Sequence, residues 1–313
     1  MLSLLLVTLV LTSANTSANT SAGAAEAPDL ALRGIAVLDR EVETLGHRLA
    51  VRNAEICDQK AYHPGFSLHH LSQYSEKYRQ TASAIFGLAL EPRVLATARG
   101  GPAEAAGLKP GDAVLAVDGR AFSTADFGAD KTAAVLATIH AKLDEAFADG
   151  RAEVRVERDG RNLSFYIDAE PGCATRFYLE PSSTPNAWSD GSNVVVTSSV
   201  AAFADDDSEL AAVLAHELAH SVLGHKARLD EAGRSRSNVR ESELEADRLS
   251  IHLLRQAGFD PQGAIRFWKR LGPKRFRLFS GSDHPPWRQR VEAIKTEITN
   301  LEAGERFRKR GPN

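Results

Sequence analysis

The chain has 313 residues, of which 43% are hydrophobic and 25% charged, and its formal net charge is -3. This composition is that of an ordinary globular protein with room for two domains. The slight negative charge argues against a nucleic-acid-binding protein.

The first 24 residues have the pattern of an export signal. The apolar run 1–11 is too short to span a bilayer, and polar repeats and then small residues at 22–25 follow it. The pattern predicts a periplasmic or secreted protein whose mature chain has no transmembrane span. Because Lys and Arg are missing from the first positions, a misassigned start codon and a retained anchor stay open.

Residues 25–80 are predicted to form an N-terminal helical segment. From 29 to 53 apolar residues recur every three or four positions, as in an amphipathic helix; they are Leu32, Ile35, Leu38, Val42, Leu45 and Leu49. The loop-like stretch that follows contains His63, His69 and His70. Their spacing fits no ligand set on one helical face, so we interpret them as surface or core histidines rather than a second metal site.

Residues 81–170 have the pattern of a separate, β-rich unit. Turn residues separate short apolar runs, and the predicted elements are strands at 94–97, 113–117, 153–157 and 162–167 with a helix at 131–148. The segment resembles a PDZ domain of the bacterial protease type. That resemblance implies a groove in which backbone amides near Phe86, Gly87 and Leu88 bind the terminal carboxylate of a peptide. A spacer with a blocked groove is the alternative.

Two cysteines, Cys57 and Cys173, flank the PDZ-like segment. An even number of cysteines in an exported chain favours a disulfide. We therefore hypothesise that the PDZ-like unit is inserted into a larger domain and that this bond joins the two ends of the insertion.

The stretch 210–225 is an Ala- and Leu-rich helical pattern that ends near Gly224. It contains an H-E-x-x-H motif at His216, Glu217 and His220. The two histidines are four residues apart, so they share one helical face and can bind one metal ion. Glu217 is rotated by about 100° from His216, which suits a general base acting on a metal-bound water. A buried helix with two chance histidines is the alternative.

A second helical pattern, at 242–257, carries Glu243 and Asp247 one turn apart. A catalytic zinc site takes three protein ligands and keeps one position open, and Glu243 is the candidate third ligand. Asp247 is placed to accept a hydrogen bond from the non-ligating nitrogen of His216. In isolation the two carboxylates would indicate only a solvated acidic face; the two motifs together favour a metal site.

The H-E-x-x-H motif and the E-x-x-A-D pattern that begins at Glu243 resemble the gluzincin metallopeptidases of the CAAX-prenyl-protease and HtpX type, including their soluble periplasmic members. The resemblance covers roughly 173–301. It implies a mainly helical zincin-type domain with a small sheet, assigned to 171–305, and an N-terminal helix that packs on it. One Zn²⁺ per chain is implied. Asn186 and the strand residues Val194, Val195 and Val196 resemble the family's N-A-x segment and substrate-side strand.

Four later side chains complete the candidate site and its surroundings. By resemblance, His284 and Arg290 approach the zinc from the far side, where they stabilise the oxyanion or, for His284, occupy the open position in a resting form. His225 and His252 are predicted to lie off the metal face. The connection 226–240 is polar and short, and the basic tail 306–313 is interpreted as a solvated end.

The sequence thus predicts an α+β protein: a zinc metalloendopeptidase with an inserted PDZ-like domain. Its expected partners are polypeptides of the cell envelope or outside the cell, cleaved at the zinc site, and C-terminal peptides in the groove. A periplasmic peptide-binding adaptor or chaperone with a vestigial metal site is the alternative, and a zinc hydrolase of a non-peptide bond is a third.

Overall fold

The computed structural model describes residues 20–123, 127, 132–274, 284–304 and 307, without the side chains of 20–27, 132, 133, 136 and 274. Most of the predicted signal and of the basic tail lie outside the described residues. In the part that is described, every helix is too short or too polar to cross a membrane.

The chain alternates between helices and short strands. The helices are α1 Thr20–Arg52, α2 Glu76–Phe86, α3 Pro102–Ala106, α4 Thr132–Ala146, α5 Ser198–Ala201, α6 Asp207–Val222, α7 His225–Ala232, α8 Arg236–Gln256, α9 Gln262–Leu271 and α10 Trp287–Glu302. The strands are β1 Lys60–His63, β2 Phe66–His69, β3 Arg93–Thr97, β4 Ala113–Val117, β5 Arg120–Ala121, β6 Arg151–Arg158, β7 Arg161–Asp168, β8 Glu170–Cys173, β9 Arg176–Glu180, β10 Ala187–Ser189 and β11 Asn193–Thr197. The predicted α+β class is confirmed.

The first hydrophobic core is helical. Helix α6 lies at its centre and packs against α8 and α9, while α10 packs against α8 and α9. From α1, Val42, Leu45 and Leu49 enter this core, so the amphipathic face expected for that helix is buried against the C-terminal half of the chain. A three-stranded sheet in the order β10-β11-β9 lies beside α6.

The second core lies between α4 and a six-stranded sheet in the order β2-β3-β4-β6-β7, with β5 paired to β4. Phe66 and Leu68 of β2 belong to this core. The sequence placed them in the N-terminal segment, with a boundary at residue 81. Strand β2 nevertheless pairs antiparallel with β3, a contact across the predicted boundary that sequence periodicity does not show.

The connection 226–240 is mostly helical rather than an irregular loop. Gly224 adopts a left-handed conformation, with φ of +62°, and turns the chain from α6 into α7. Helix α8 then begins at Arg236, after Ser235 accepts a hydrogen bond from the backbone N–H of Asn238. The second motif helix is therefore longer at its N-terminus than the periodicity predicts.

The predicted disulfide is present. Cys57 and Cys173 are 116 residues apart in sequence and are bonded, with their Cα atoms 5.3 Å apart. Strand β1 pairs antiparallel with β8 next to this bond, so that Lys60 faces Cys173. The two chain segments that lead into and out of the second core are thus joined by the disulfide and by the backbone hydrogen bonds between β1 and β8.

We expect the double substitution of Cys57 and Cys173 by alanine to lower the free energy of unfolding by about 4–5 kcal/mol, because the bond closes a loop of more than a hundred residues in the unfolded chain. Denaturant unfolding followed by circular dichroism measures this loss. Wild-type protein unfolded in reductant is the control and should show a similar decrease. A decrease below about 1 kcal/mol in both would contradict the stapling role.

Candidate metal centre

Helix α6 positions the first motif. Asp206 caps it by accepting a hydrogen bond from the backbone N–H of Glu209 at 2.9 Å. Its Ala- and Leu-rich faces are almost entirely buried. Two residues in contact with the core, Leu214 and Leu218, have no exposed surface. A helix packed on so many sides holds its histidines in one orientation.

Three side chains converge between α6 and α8. Nε2 of His216 lies 3.1 Å from Nε2 of His220 and 3.4 Å from Oε2 of Glu243, and Nε2 of His220 lies 3.5 Å from Oε1 of Glu243. Ligands of a tetrahedral zinc ion are roughly 3.4 Å apart, as follows from Zn–N and Zn–O bonds of about 2.1 Å. Among the described residues these three form the one His, Cys, Asp and Glu group compact enough to bind a metal. The donor set therefore fits zinc in number, chemistry and spacing.

Glu217 lies beside the ligands rather than among them. It is 5% exposed, and burial raises its pKa to about 7, with the positive charge of His216 opposing that rise. A carboxylate whose pKa is near neutrality can accept a proton and release it again. The position and the pKa suit a general base.

His216 is supported from behind by Asp247 and Arg290. Its Nδ1 lies 3.1 Å from Oδ1 of Asp247, the contact predicted from helical spacing. Burial alone would lower the pKa of His216, but hydrogen bonds with Asp247 and Glu243 raise it to about 9. The carboxylates thus favour a positive charge at this point, which is what a cation site requires.

Arg290 is fully buried, with 0% of its surface exposed. It donates from Nε and Nη2 to the two oxygens of Asp247, at 2.7 and 2.6 Å, and its Nη1 lies 3.3 Å from Oε2 of Glu243. These contacts place the guanidinium behind the ligands. His284 approaches the other oxygen of Glu243, with Nε2 3.7 Å from Oε1, and 30% of its side chain is exposed.

The strand residues predicted to align substrate are in the middle of a sheet. Strand β11 pairs with β10 on one side and with β9 on the other, so Val194, Val195 and Val196 offer no unpaired edge. The expectation that substrate pairs with this strand is therefore wrong. Within the described strands, the edge of this sheet nearer α6 is β10, the segment that follows Asn186.

The residues predicted to form the peptide groove lie at the end of a helix. Phe86 is the last residue of α2, Gly87 ends that helix in a left-handed conformation and Leu88 is buried. These residues end a helix and do not form a strand, so they do not line an open groove. Within the described sheet β2 is an edge strand, and a cavity of about 570 Å³ is lined by β2 and α4 together with α1, β1 and β9.

Of the three loop histidines, His69 and His70 are buried and His63 is half-buried, and each contacts a protein partner, in line with surface or core residues. Nε2 of His63 lies 2.8 Å from the carbonyl oxygen of Cys173, and Nδ1 of His69 lies 2.8 Å from the hydroxyl of Tyr74. His70 stacks on Phe127 at 4.0 Å between ring centroids.

His225 does not belong to the metal-ligand group, in line with the prediction, but the sequence did not predict that its Nδ1 lies 2.9 Å from Nδ1 of the ligand His220. The left-handed turn at Gly224 decides this placement, and the sequence signals only that the helix ends there. Burial lowers the pKa of His220 to about 3, whereas the neighbouring carboxylates raise that of His216; a metal ion bound by both rings would take the place of the extra proton on His216.

Two overlapping segments, 167–237 and 227–298, match Peptidase family M48. The predicted resemblance to zinc metallopeptidases is confirmed for this part of the chain at the level of that family. The finer likeness to the CAAX-prenyl-protease and HtpX type stays a prediction.

The chain is similar to the beta-barrel assembly-enhancing protease of Yersinia pestis, with 31% identity over 134 positions, and to that of Escherichia coli K12, with 28%. Each alignment covers 30% of this chain and 28% of the relative. The mitochondrial metalloendopeptidase OMA1 of Schizosaccharomyces pombe is 30% identical over 145 positions, which cover 36% of this chain and 43% of that protein. The chain thus spans less than half the length of these relatives.

We expect zinc to stabilise the fold through Glu243. At free Zn²⁺ a thousandfold above Kd, binding should raise the free energy of unfolding by about 4 kcal/mol, seen as a higher melting temperature in a thermal scan. Glu243→Ala should abolish this rise. Glu241→Ala, an exposed position on the same helix, is the matched control and should retain it. An equal zinc response in Glu243→Ala would rule out this ligand.

Proposed function

We propose that this protein is a zinc-dependent metalloendopeptidase. The observation that carries the proposal is the convergence of His216, His220 and Glu243 at zinc-ligand spacing, with Glu217 buried beside them. The match to Peptidase family M48 over the same part of the chain supports it.

In the proposed reaction the ligands hold zinc, which when bound supplies a Lewis acid and a water of lowered pKa. Glu217 accepts a proton from the attacking water and delivers it to the leaving amine. Asp247 fixes the orientation of His216 by accepting its Nδ1–H. Arg290 holds Asp247 and Glu243 in place, and His284, part-exposed beside Glu243, is assigned to contact the developing oxyanion.

Substrate is proposed to pair with the open edge of β10. Ser189 of this strand lies 2.5 Å, between hydroxyl oxygens, from Ser221, the residue after the ligand His220. Trp188 is exposed on the same strand. A peptide extended along β10 would therefore run past the zinc ligands, with its backbone satisfied by the strand.

The substrates are proposed to be exported or envelope proteins, because the N-terminal pattern is that of an export signal and the disulfide suits an oxidising compartment. Two relatives are named for beta-barrel assembly, which is compatible with this choice. The alternative, an adaptor with a vestigial metal site, is disfavoured because the candidate ligands, the candidate base and Asp247 are present together.

We expect Glu217→Gln to bind zinc as tightly as wild type and to lose cleavage of unfolded casein by at least about 100-fold, because only the proton acceptor is removed. His216→Ala should lose both zinc and cleavage. Zinc content measured by atomic emission, next to the rate of casein hydrolysis, separates the two effects.

Glu231→Gln, an exposed substitution on α7, is the matched control and should leave both properties unchanged. Full activity of purified Glu217→Gln would remove the base assignment. Stoichiometric zinc with no cleavage in wild type would favour the adaptor.

We further propose that the unit with the second core is PDZ-like and binds peptide between β2 and α4. The supporting features are the unpaired edge of β2 within the described sheet and the cavity beside it. Ser67 of β2 faces this cavity together with His140 and Leu143 of α4. An extended peptide would add a strand to β2 and place alternate side chains against α4.

We expect Ser67→Trp, which fills part of this cavity, to raise KM for casein at least about threefold with kcat unchanged, because recruitment adds binding without touching the metal centre. Steady-state cleavage rates measure both constants. Ser164→Trp, exposed on β7 of the same sheet, is the matched control. Unchanged KM in Ser67→Trp would indicate a spacer rather than a recruiting groove.

A further inference from the structure

A buried run of hydrogen bonds leads away from the ligand His220. Its Nδ1 lies 2.9 Å from Nδ1 of His225, and Nε2 of His225 lies 3.2 Å from Oε2 of Glu245. Nη1 of Arg228 donates to the same carboxylate oxygen at 2.9 Å. His225 is 1% exposed and Glu245 2%, so water has little access to this arrangement.

Two local features bring these groups together. The left-handed turn at Gly224 starts α7 directly at His225, and the rings of His220 and His225 meet edge to face with centroids 4.8 Å apart. Glu245 is two residues after the ligand Glu243, which rotates it by about 200° around α8. It therefore faces α7 while Glu243 faces the metal ligands.

The tautomers of His220 and His225 follow from which nitrogen of His220 faces the metal ligands. Nε2 of His220 faces His216 and Glu243, so the neutral ring carries its proton on Nδ1. That N–H donates to Nδ1 of His225, whose own proton is then on Nε2 and donates to Glu245. Every N–H in this series then has an acceptor. If the proton of His220 were on Nε2 instead, that nitrogen would have no lone pair for zinc.

We propose that His225, held by Glu245, is a positioning residue that fixes the ring orientation and the tautomer of His220 as a zinc ligand. The inference rests on the proposed zinc site and adds a second support to it. His216 donates directly to the carboxylate of Asp247, whereas His220 reaches its carboxylate through an intervening imidazole. The two ligand histidines are thus oriented by separate groups.

The test is the Zn²⁺ affinity of three variants, measured by competition with a chromophoric chelator. His225→Leu removes the acceptor and should weaken zinc binding about 10- to 100-fold, the usual effect of losing such a partner. His225→Asn keeps an acceptor oxygen near the position of Nδ1 and should stay within about threefold of wild type. It also keeps the test valid if His225→Leu does not fold.

His252→Leu is the matched control. His252 lies on α8 and, like His225, pairs with a carboxylate, with Nε2 2.7 Å from Oε1 of Glu297. Its substitution should leave zinc affinity unchanged. The absorption spectrum of the Co²⁺-substituted protein gives a second readout that a purely structural role would not change: His225→Leu should shift it and His252→Leu should not.

Equal zinc affinity in His225→Leu and wild type would overturn the inference, as would an equal loss in His225→Asn and His225→Leu. Wild-type protein that binds no zinc would overturn both the inference and the proposed function. Zinc binding that depends on His225 in a protein without cleavage would support the positioning role and overturn the peptidase alone.

Discussion

The metal centre depends on a buried guanidinium. Arg290 has no exposed surface, and its charge would cost several kcal/mol if it were unpaired. Its bonds to Asp247 and its approach to Glu243 connect α10 to α8 and hold two carboxylates close together. The pKa values of Asp247 and Glu243 are both lowered, so two carboxylates face one guanidinium and leave one negative charge, which a proton on His216 or a bound cation would neutralise. The electrostatics of this core therefore favour an additional positive charge.

The metal ligands lie on helices that pack closely against each other, so their positions are as rigid as the helix packing. Ala246 and Leu249 of α8 and Leu214 of α6 are fully buried in the same core, so the distance from Glu243 to the histidines is set by close contact. Groups behind the ligands then fix what packing alone leaves open, the rotation of each ring and the nitrogen that carries its proton.

Helix α1 connects the two halves of the protein. Val42 and Leu45 enter the core around α6, while Glu43 and His47 line the cavity between β2 and α4. A peptide in that cavity would therefore contact a helix that packs on the metal helix. Gating of the active site would require α1 to slide against a close-packed core, whereas recruitment requires no such movement. For the proposed peptide site, this packing favours recruitment over gating.

How far the sequence predicts this structure depends on which contacts are local. The pairing of His216 with His220 and of Glu243 with Asp247 follows from helical spacing, because residues one turn apart share a face. The approach of Glu243 to the histidines is a packing contact between two helices, which the sequence implied only through the two motifs together. The disulfide follows from cysteine number and compartment. The positions of the proposed substrate strand and peptide site cannot be predicted in this way, because strand order arises from pairing between distant segments. The run 194–197 has the same sequence pattern whether it lies at the centre of a sheet or at its edge. His225 is intermediate. Its five-residue separation from His220 is local, yet the positive φ of Gly224 decides its direction, and a glycine in the sequence permits that conformation without imposing it.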